Sequence, residues 1–100
     1  MYKLIALYQT PDDPQSFMSH YNDVHLPLVK QTPGLLKAEA YRVTANAMGG
    51  VIPYFLIAEM TYPDKATFDT AMASPQNRAA GKDLMSFAKG KVTLLIANDG

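Results

Sequence analysis

The strand segments of this chain are apolar on both faces, and one layer of helices cannot cover both faces of a sheet. Between Tyr2 and Gln9, Ile5 and Leu7 fall on one side of an extended chain while Leu4, Ala6 and Tyr8 fall on the other. Further on, Tyr54, Leu56, Ala58 and Met60 oppose Phe55 and Ile57, and near the end Leu94 and Ile96 oppose Leu95 and Ala97. An antiparallel sheet with one wet face alternates apolar and polar residues, and these segments do not. Four strands about 4.8 Å apart and about 20 Å long present a face of roughly 400 Å², near the largest apolar patch a monomer usually exposes. Burying each large side chain on that face contributes about 1.5–3 kcal/mol, so a homodimer paired through the sheet face is the expected solution. The alternative is a monomer with an unusually apolar surface. Because both faces are apolar, the pattern does not distinguish which one meets the helices.

Turn and cap chemistry orders the rest. Thr10-Pro11-Asp12-Asp13-Pro14 ends the first strand, and Asp13 before Pro14 reads as an N-cap with proline at the first helical position. The helix is expected to run to about Val24, break, resume briefly and stop at Pro33-Gly34. A second strand spans 35–45, and Asn46-Ala47-Met48-Gly49-Gly50 turns it into a third at 52–62, with Pro53 near its start. Pro63-Asp64 opens a helix carrying Phe68, Ala71 and Met72, and Ser74-Pro75 opens another with Ala80, Leu84, Phe87 and Ala88 on one face. Residues 91–98 form the last strand. The order β-α-β-β-α-α-β predicts an α+β, ferredoxin-like split β-α-β domain spanning 1–100, a four-stranded antiparallel sheet with helices on one face.

The segment from Phe17 to Leu28 concentrates the chemistry. At about 100° per residue, Phe17, Tyr21, Val24 and Leu28 form one apolar stripe, with His20 and His25 at its two edges. Pro27 lacks the N–H that would bond the Asp23 carbonyl, which predicts a break or kink beside His25. Carbonyls freed there would favour imidazolium, while burial would favour the neutral ring. Either way, an imidazole with an ordinary pKa of about 6.5 exchanges protons near neutrality.

Composition excludes several classes. With 9 basic and 9 acidic residues and no basic run, electrostatic capture of nucleic acid or anionic membrane has no footprint. The absence of cysteine rules out disulfides, thiolate catalysis and sulfur-ligated zinc. No leader-like segment or membrane-length apolar run occurs, so a cytoplasmic location is the expectation. His20 and His25 are not spaced as an H-E-x-x-H pair, and no metal site is expected. No P-loop, dinucleotide-binding glycine pattern or G-x-S-x-G elbow appears, and no cofactor is assigned.

The positions Phe17, Tyr21, His25, Pro27 and Leu28, then Pro33-Gly34, then Asp83 with Phe87, resemble the EthD family of dimeric α+β barrels, and the likeness spans nearly the whole chain. The segment Ser74-Pro75-Gln76-Asn77-Arg78 departs from the family pattern, lacking a glycine and an acidic residue. The resemblance implies a ferredoxin-like subunit whose sheet packs on its twin, with a pocket between helices and sheet. It also implies chemistry on small organic molecules, as lyase, isomerase or cofactor-independent oxygenase.

Within that frame His25 is the candidate acid or base and Tyr21 its orienting or oxyanion-donating partner. Phe17, His20 and Leu28, with the sheet phenols Tyr8, Tyr41 and Tyr54, are candidates to line a site for a hydrophobic aromatic or carbonyl-bearing molecule. Two functional readings stand: an enzyme using His25, or a non-catalytic ligand-binding or stress-associated dimer in which His25 only stabilises the helix break. Asp83 is expected to play a structural role, pairing with a surface cation or capping backbone.

Overall fold

The computed structural model describes residues 1–99. Along the chain run β1 (Tyr2–Gln9), α1 (Pro14–His20), a π-helical turn (Tyr21–His25), α2 (Leu26–Val29), β2 (Lys37–Arg42), β3 (Tyr54–Tyr62), α3 (Lys65–Met72), α4 (Pro75–Phe87) and β4 (Val92–Asn98). The sheet order is β2-β3-β1-β4 with every pair antiparallel, the α+β ferredoxin-like plan. Caps fall where the sequence puts them. Asp13 accepts from Ser16 N at 3.1 Å, Asp64 from Thr67 N at 2.8 Å, and Ser74 Oγ from Asn77 N at 3.1 Å.

The second and third strands are shorter than the sequence suggests. The connection between them is held as a wide loop by Asn46, whose Oδ1 accepts from Met48 N at 2.9 Å and whose amide donates to the Val51 carbonyl at 3.2 Å. In β3 the alternation also slips. Tyr8 pairs with Leu56 and Gln9 with Tyr54, leaving Phe55 as an additional bulged residue. Phe55 and Leu56 are therefore both buried, the Phe55 ring meeting Phe17 edge-on at 5.8 Å under the Arg42 guanidinium.

The irregularity expected beside His25 is present, but as a π turn rather than a break. The chain instead widens by one residue, so that Leu26 N–H donates to the Tyr21 carbonyl five residues back, and Pro27 begins the next turn, where its missing donor costs nothing. The extra residue rotates the helix beyond it. The inward stripe is Phe17, Tyr21, His25 and Val29, rather than Phe17, Tyr21, Val24 and Leu28. Val24 is 43% exposed, whereas His25 is 5% exposed.

The face that meets the helices carries Ala6 and Tyr8 from β1 and Leu56, Ala58, Met60 and Tyr62 from β3. They pack against Phe17, Tyr21, Val29, Phe68, Ala71, Ala80, Leu84 and Ala88. Aromatic contacts tie the layers, with Tyr8 edge-on to Phe17 at 5.3 Å and Tyr62 edge-on to Phe68 at 5.4 Å. Gly34, at φ +78°, closes onto α3 so tightly that a Cβ would collide with the Thr67 methyl.

The other face is half apolar and half charged. Leu7 pairs with Ile57, and Ile5 with Leu95. Glu39 and Glu59 stand directly opposite one another, neutralised by Lys37 at 3.3 Å and Lys3 at 3.0 Å. Tyr41 lies on this face, donating to Glu39 at 2.9 Å. The edge strand β4 leaves Leu94, Leu95 and Ile96 all exposed.

Candidate active site

One carboxylate organises the site. Asp83, on the inner side of α4, approaches His25 Nδ1 through Oδ2 at 3.0 Å and His20 Nε2 through Oδ1 at 2.8 Å. A carboxylate only accepts, so His25 carries its proton on Nδ1 and leaves the lone pair on Nε2. Burial lowers the His25 pKa below the ordinary value of 6.5, Asp83 opposes that in part, and His20 adds to it. Burial wins, and the ring is a neutral base at neutral pH. The choice between freed carbonyls and burial, open in the sequence, is settled because the π turn never frees the helix end.

His25 lines a cavity of about 150 Å³ between helices and sheet, with Tyr8 and Leu4 from the sheet, Val29 and Thr32 after the π turn, and Leu84 from α4. Tyr62 and Asn77 also reach it, with the Tyr62 hydroxyl and the Asn77 Nδ2 bonded within the protein. Thr32 Oγ1 donates to the Val29 carbonyl at 2.7 Å and so accepts from the Tyr62 hydroxyl at 3.1 Å, while Asn77 Nδ2 donates to the Met72 carbonyl at 3.1 Å. Tyr8 is different. Burial, then Tyr21 and Asp83, push its phenol far above the ordinary value of 10.0, so it remains a protonated donor.

Of the residues singled out from sequence, His25 and Tyr8 meet at this cavity. Tyr21 stands beside it, its ring centre 5.8 Å from that of His25 and 6.0 Å from that of Tyr8, and burial raises its pKa as well. His20 does not line the cavity; it grips Asp83 from the outer side, with its side chain 32% exposed. Phe17 is consumed by ring contacts to Tyr8, Phe55 and Phe87. Leu28 is carried off the stripe by the π turn, which puts Val29 in its place. Tyr41 and Tyr54 are not in the cavity wall either: the register sets Tyr41 opposite Ile57 on the far face and Tyr54 beyond the Phe55 bulge.

Asp83 is the residue at this cluster whose place periodicity does not reveal. It lies beside the Ala80, Leu84 and Phe87 stripe, a position that suggests a surface cation as partner, whereas two imidazoles are its partners. The signal available in the sequence is the family resemblance, which includes Asp83 together with Phe87. Among the described residues no cluster of three or more His, Cys, Asp or Glu side chains is arranged to hold a metal ion. No helix among them is long and apolar enough to cross a membrane.

The EthD domain profile matches residues 9–91. The chain belongs to the EthD family. It is 33% identical over 100 residues to an uncharacterized 11.0 kDa protein in the thcB-thcC intergenic region of Rhodococcus erythropolis, covering 99% of this chain and 95% of that one. It superposes on an EthD family protein from Bacillus halodurans C-125 with a TM-score of 0.92 and 39% identity, covering 100% and 99% of the two chains. At the level of fold alone it resembles a hydroxynitrile lyase from Passiflora edulis (TM-score 0.77, 14% identity, coverage 99% and 93%). SnoaB, a cofactor-independent oxygenase from Streptomyces nogalater, is similar at TM-score 0.71 and 13% identity, covering 98% and 91%. So is a dimeric protein of ferredoxin-like fold from Bacteroides fragilis, at TM-score 0.66 and 16% identity, covering 98% and 95%. The EthD fold is thus shared with enzymes of more than one reaction class.

Proposed function

We propose that this EthD protein is a cofactor-independent enzyme that moves a proton on a small, largely apolar carbonyl compound, aromatic or of similar size, held between helices and sheet. The observation that carries the reading is the neutral, buried His25, fixed through Nδ1 on Asp83 with its Nε2 lone pair unused, in the wall of a largely apolar cavity. A base held by a carboxylate in one tautomer is poised to take a proton from carbon or oxygen, as in the His–Asp part of a hydrolase triad. Tyr8, kept protonated, would donate to the oxygen on which negative charge develops. Lyase and isomerase reactions both begin with such a step, and so does the oxygenation of an acidic phenol.

Size narrows the substrate. A cavity of about 150 Å³ is comparable to the engineered apolar cavities that admit one benzene ring, so a single ring with small substituents fits. The protein is further proposed to work as a homodimer through the sheet face that carries Ile5, Leu7, Ile57 and Leu95; the Bacteroides relative in fold is described as dimeric.

The test is thermal shift of wild type and His25→Ala against single-ring phenols, aromatic acids, quinones and lactones, followed by turnover of each hit. A ligand at 100 times its Kd stabilises the fold by about 2.7 kcal/mol. Ligands that bind both proteins but react only with wild type support the enzyme. Binding without turnover in either protein favours a non-catalytic ligand carrier, and no binding at all overturns the reading.

A further inference from the structure

His20 has no place in the cavity, yet its bond to Asp83 is the shorter of the two. Asp83 has a side chain 12% exposed, and among the described residues no lysine or arginine forms an ion pair with it; its partners are the two imidazoles. The groups that face this cluster are His20 and His25 from the first helical segment, Asp83 from α4, and the phenols of Tyr21 and Tyr8. The phenols stay neutral, so one carboxylate serves two bases and can match one imidazolium fully. The bases differ in access, the His20 side chain being 32% exposed and that of His25 7% exposed.

We propose that His20 is the solvent-side half of a coupled imidazole pair, releasing a proton to water when His25 gains one inside the cavity. The step starts from the pair carrying one extra proton, with His20 held through Nε2–H on Asp83 and the Nε2 of His25 free to accept. When a C–H or O–H bond of the ligand breaks, its electron pair stays on the ligand and its proton forms the Nε2–H bond of His25. The Nδ1–H bond of His20 then breaks, its electron pair stays on the ring, and that proton leaves with water. Both Nε2–H of His20 and Nδ1–H of His25 remain on the carboxylate. The pair holds one imidazolium before and after, so Asp83 never faces two cations at once, and the proton reaches water without the cavity opening. His20 is therefore a positioning residue and touches no substrate.

This rests on the reading of His25 as the base, but its test does not need turnover. The imidazole nitrogens of the ¹⁵N-labelled wild type are followed by NMR from pH 4 to pH 9. Coupled rings show biphasic curves, each ring shifting when the other titrates. In His20→Gln, the midpoint of His25 is expected to rise by about one pH unit, a tenfold gain in proton affinity, because the competing cation is gone. Two independent single-site curves in the wild type, or an unmoved His25 midpoint in a folded His20→Gln, would overturn the pair. Should His20→Gln fail to fold, the wild-type curves decide alone. Coupled curves beside a His25→Ala variant of full turnover would instead sink the enzyme reading and leave the pair standing.

Discussion

Phe87 lies one turn beyond Asp83 on α4, and its ring centre is 4.5 Å from that of His20 and 5.0 Å from that of His25. Two residues four apart on one helix thus hold two imidazoles on another, the carboxylate by direction and the ring by contact. Orientation of His25 belongs to α4, although the histidine itself is on the π turn.

Asp83→Asn keeps the shape of that clamp but offers an amide that can donate to Nδ1, which would move the His25 proton to Nε2. Turnover is expected to fall by about 10²–10⁴ with ligand affinity little changed. Asp83→Ala additionally leaves two imidazoles without their acceptor and should cost about 1–3 kcal/mol of stability. Steady-state kinetics beside urea unfolding of both variants separates the two effects; equal loss of activity and stability in Asp83→Asn would contradict an orienting role.

The lowered pKa of His25 has a signed consequence for stability. In the unfolded chain the imidazole titrates near 6.5, and in the fold it holds its proton less tightly. Between those two values the unfolded state binds more protons, so stability falls as pH drops through 6.5 toward the folded value and rises in the other direction. Chemical denaturation at pH 5 and pH 7 should show this acid loss in wild type and a smaller one in His25→Asn.

Tyr8→Phe retains the ring, edge-on to Phe17 and stacked on Phe87, and removes only the donor. Thermal stability is expected to stay within about 1 kcal/mol of wild type. Loss of an oxyanion donor costs about 10²–10³ in kcat. An unchanged kcat would show that charge develops elsewhere than at Tyr8.

The π turn admits a test by deletion. Removing Asn22, which is exposed, closes the turn to ordinary helical spacing and brings Phe17, Tyr21, His25 and Val29 to intervals of four, three and four. The stripe survives, so the variant is expected to fold with a regular helix by circular dichroism. The imidazole would shift relative to Asp83, and a displacement of about 1 Å can cost about 100-fold in turnover.

For the sheet face, Ile57→Glu puts a charge between Leu7 and Tyr41, its cross-strand partners. Size-exclusion chromatography with light scattering is expected to find wild type as a dimer and the variant as a monomer. A wild-type monomer at micromolar concentration would refute pairing through this face.

The fold is legible in the sequence because its signals are local. Asp13, Asp64 and Ser74 are caps whose geometry depends on three neighbouring residues, and β1 is bounded by its own turn chemistry. The site is legible only in part, because the helical period near Pro27 is set by the tertiary fold. Periodicity of 3.6 places Val24 and Leu28 inside, whereas Asp83, Phe87 and Tyr8 wait on the other side of a turn that is wider by one residue. The same limit hides the Phe55 bulge, since nothing in Tyr54-Phe55-Leu56 marks which residue is the extra one.

The sheet order also sets a schedule. β1 lies inside the sheet between β3 and β4, and Met1 N meets Asp99 Oδ1 at 2.8 Å. Residues 2–9 leave the ribosome long before residues 92–98, and at about 5–20 residues per second the interval is roughly 4 to 17 seconds. Throughout that time one edge of β1, with Leu4, Ile5, Ala6 and Leu7 behind it, has no partner from its own chain. Until β4 is made, the nascent chain therefore carries an apolar strand with an open edge, the kind of edge that pairs with other chains unless it is shielded.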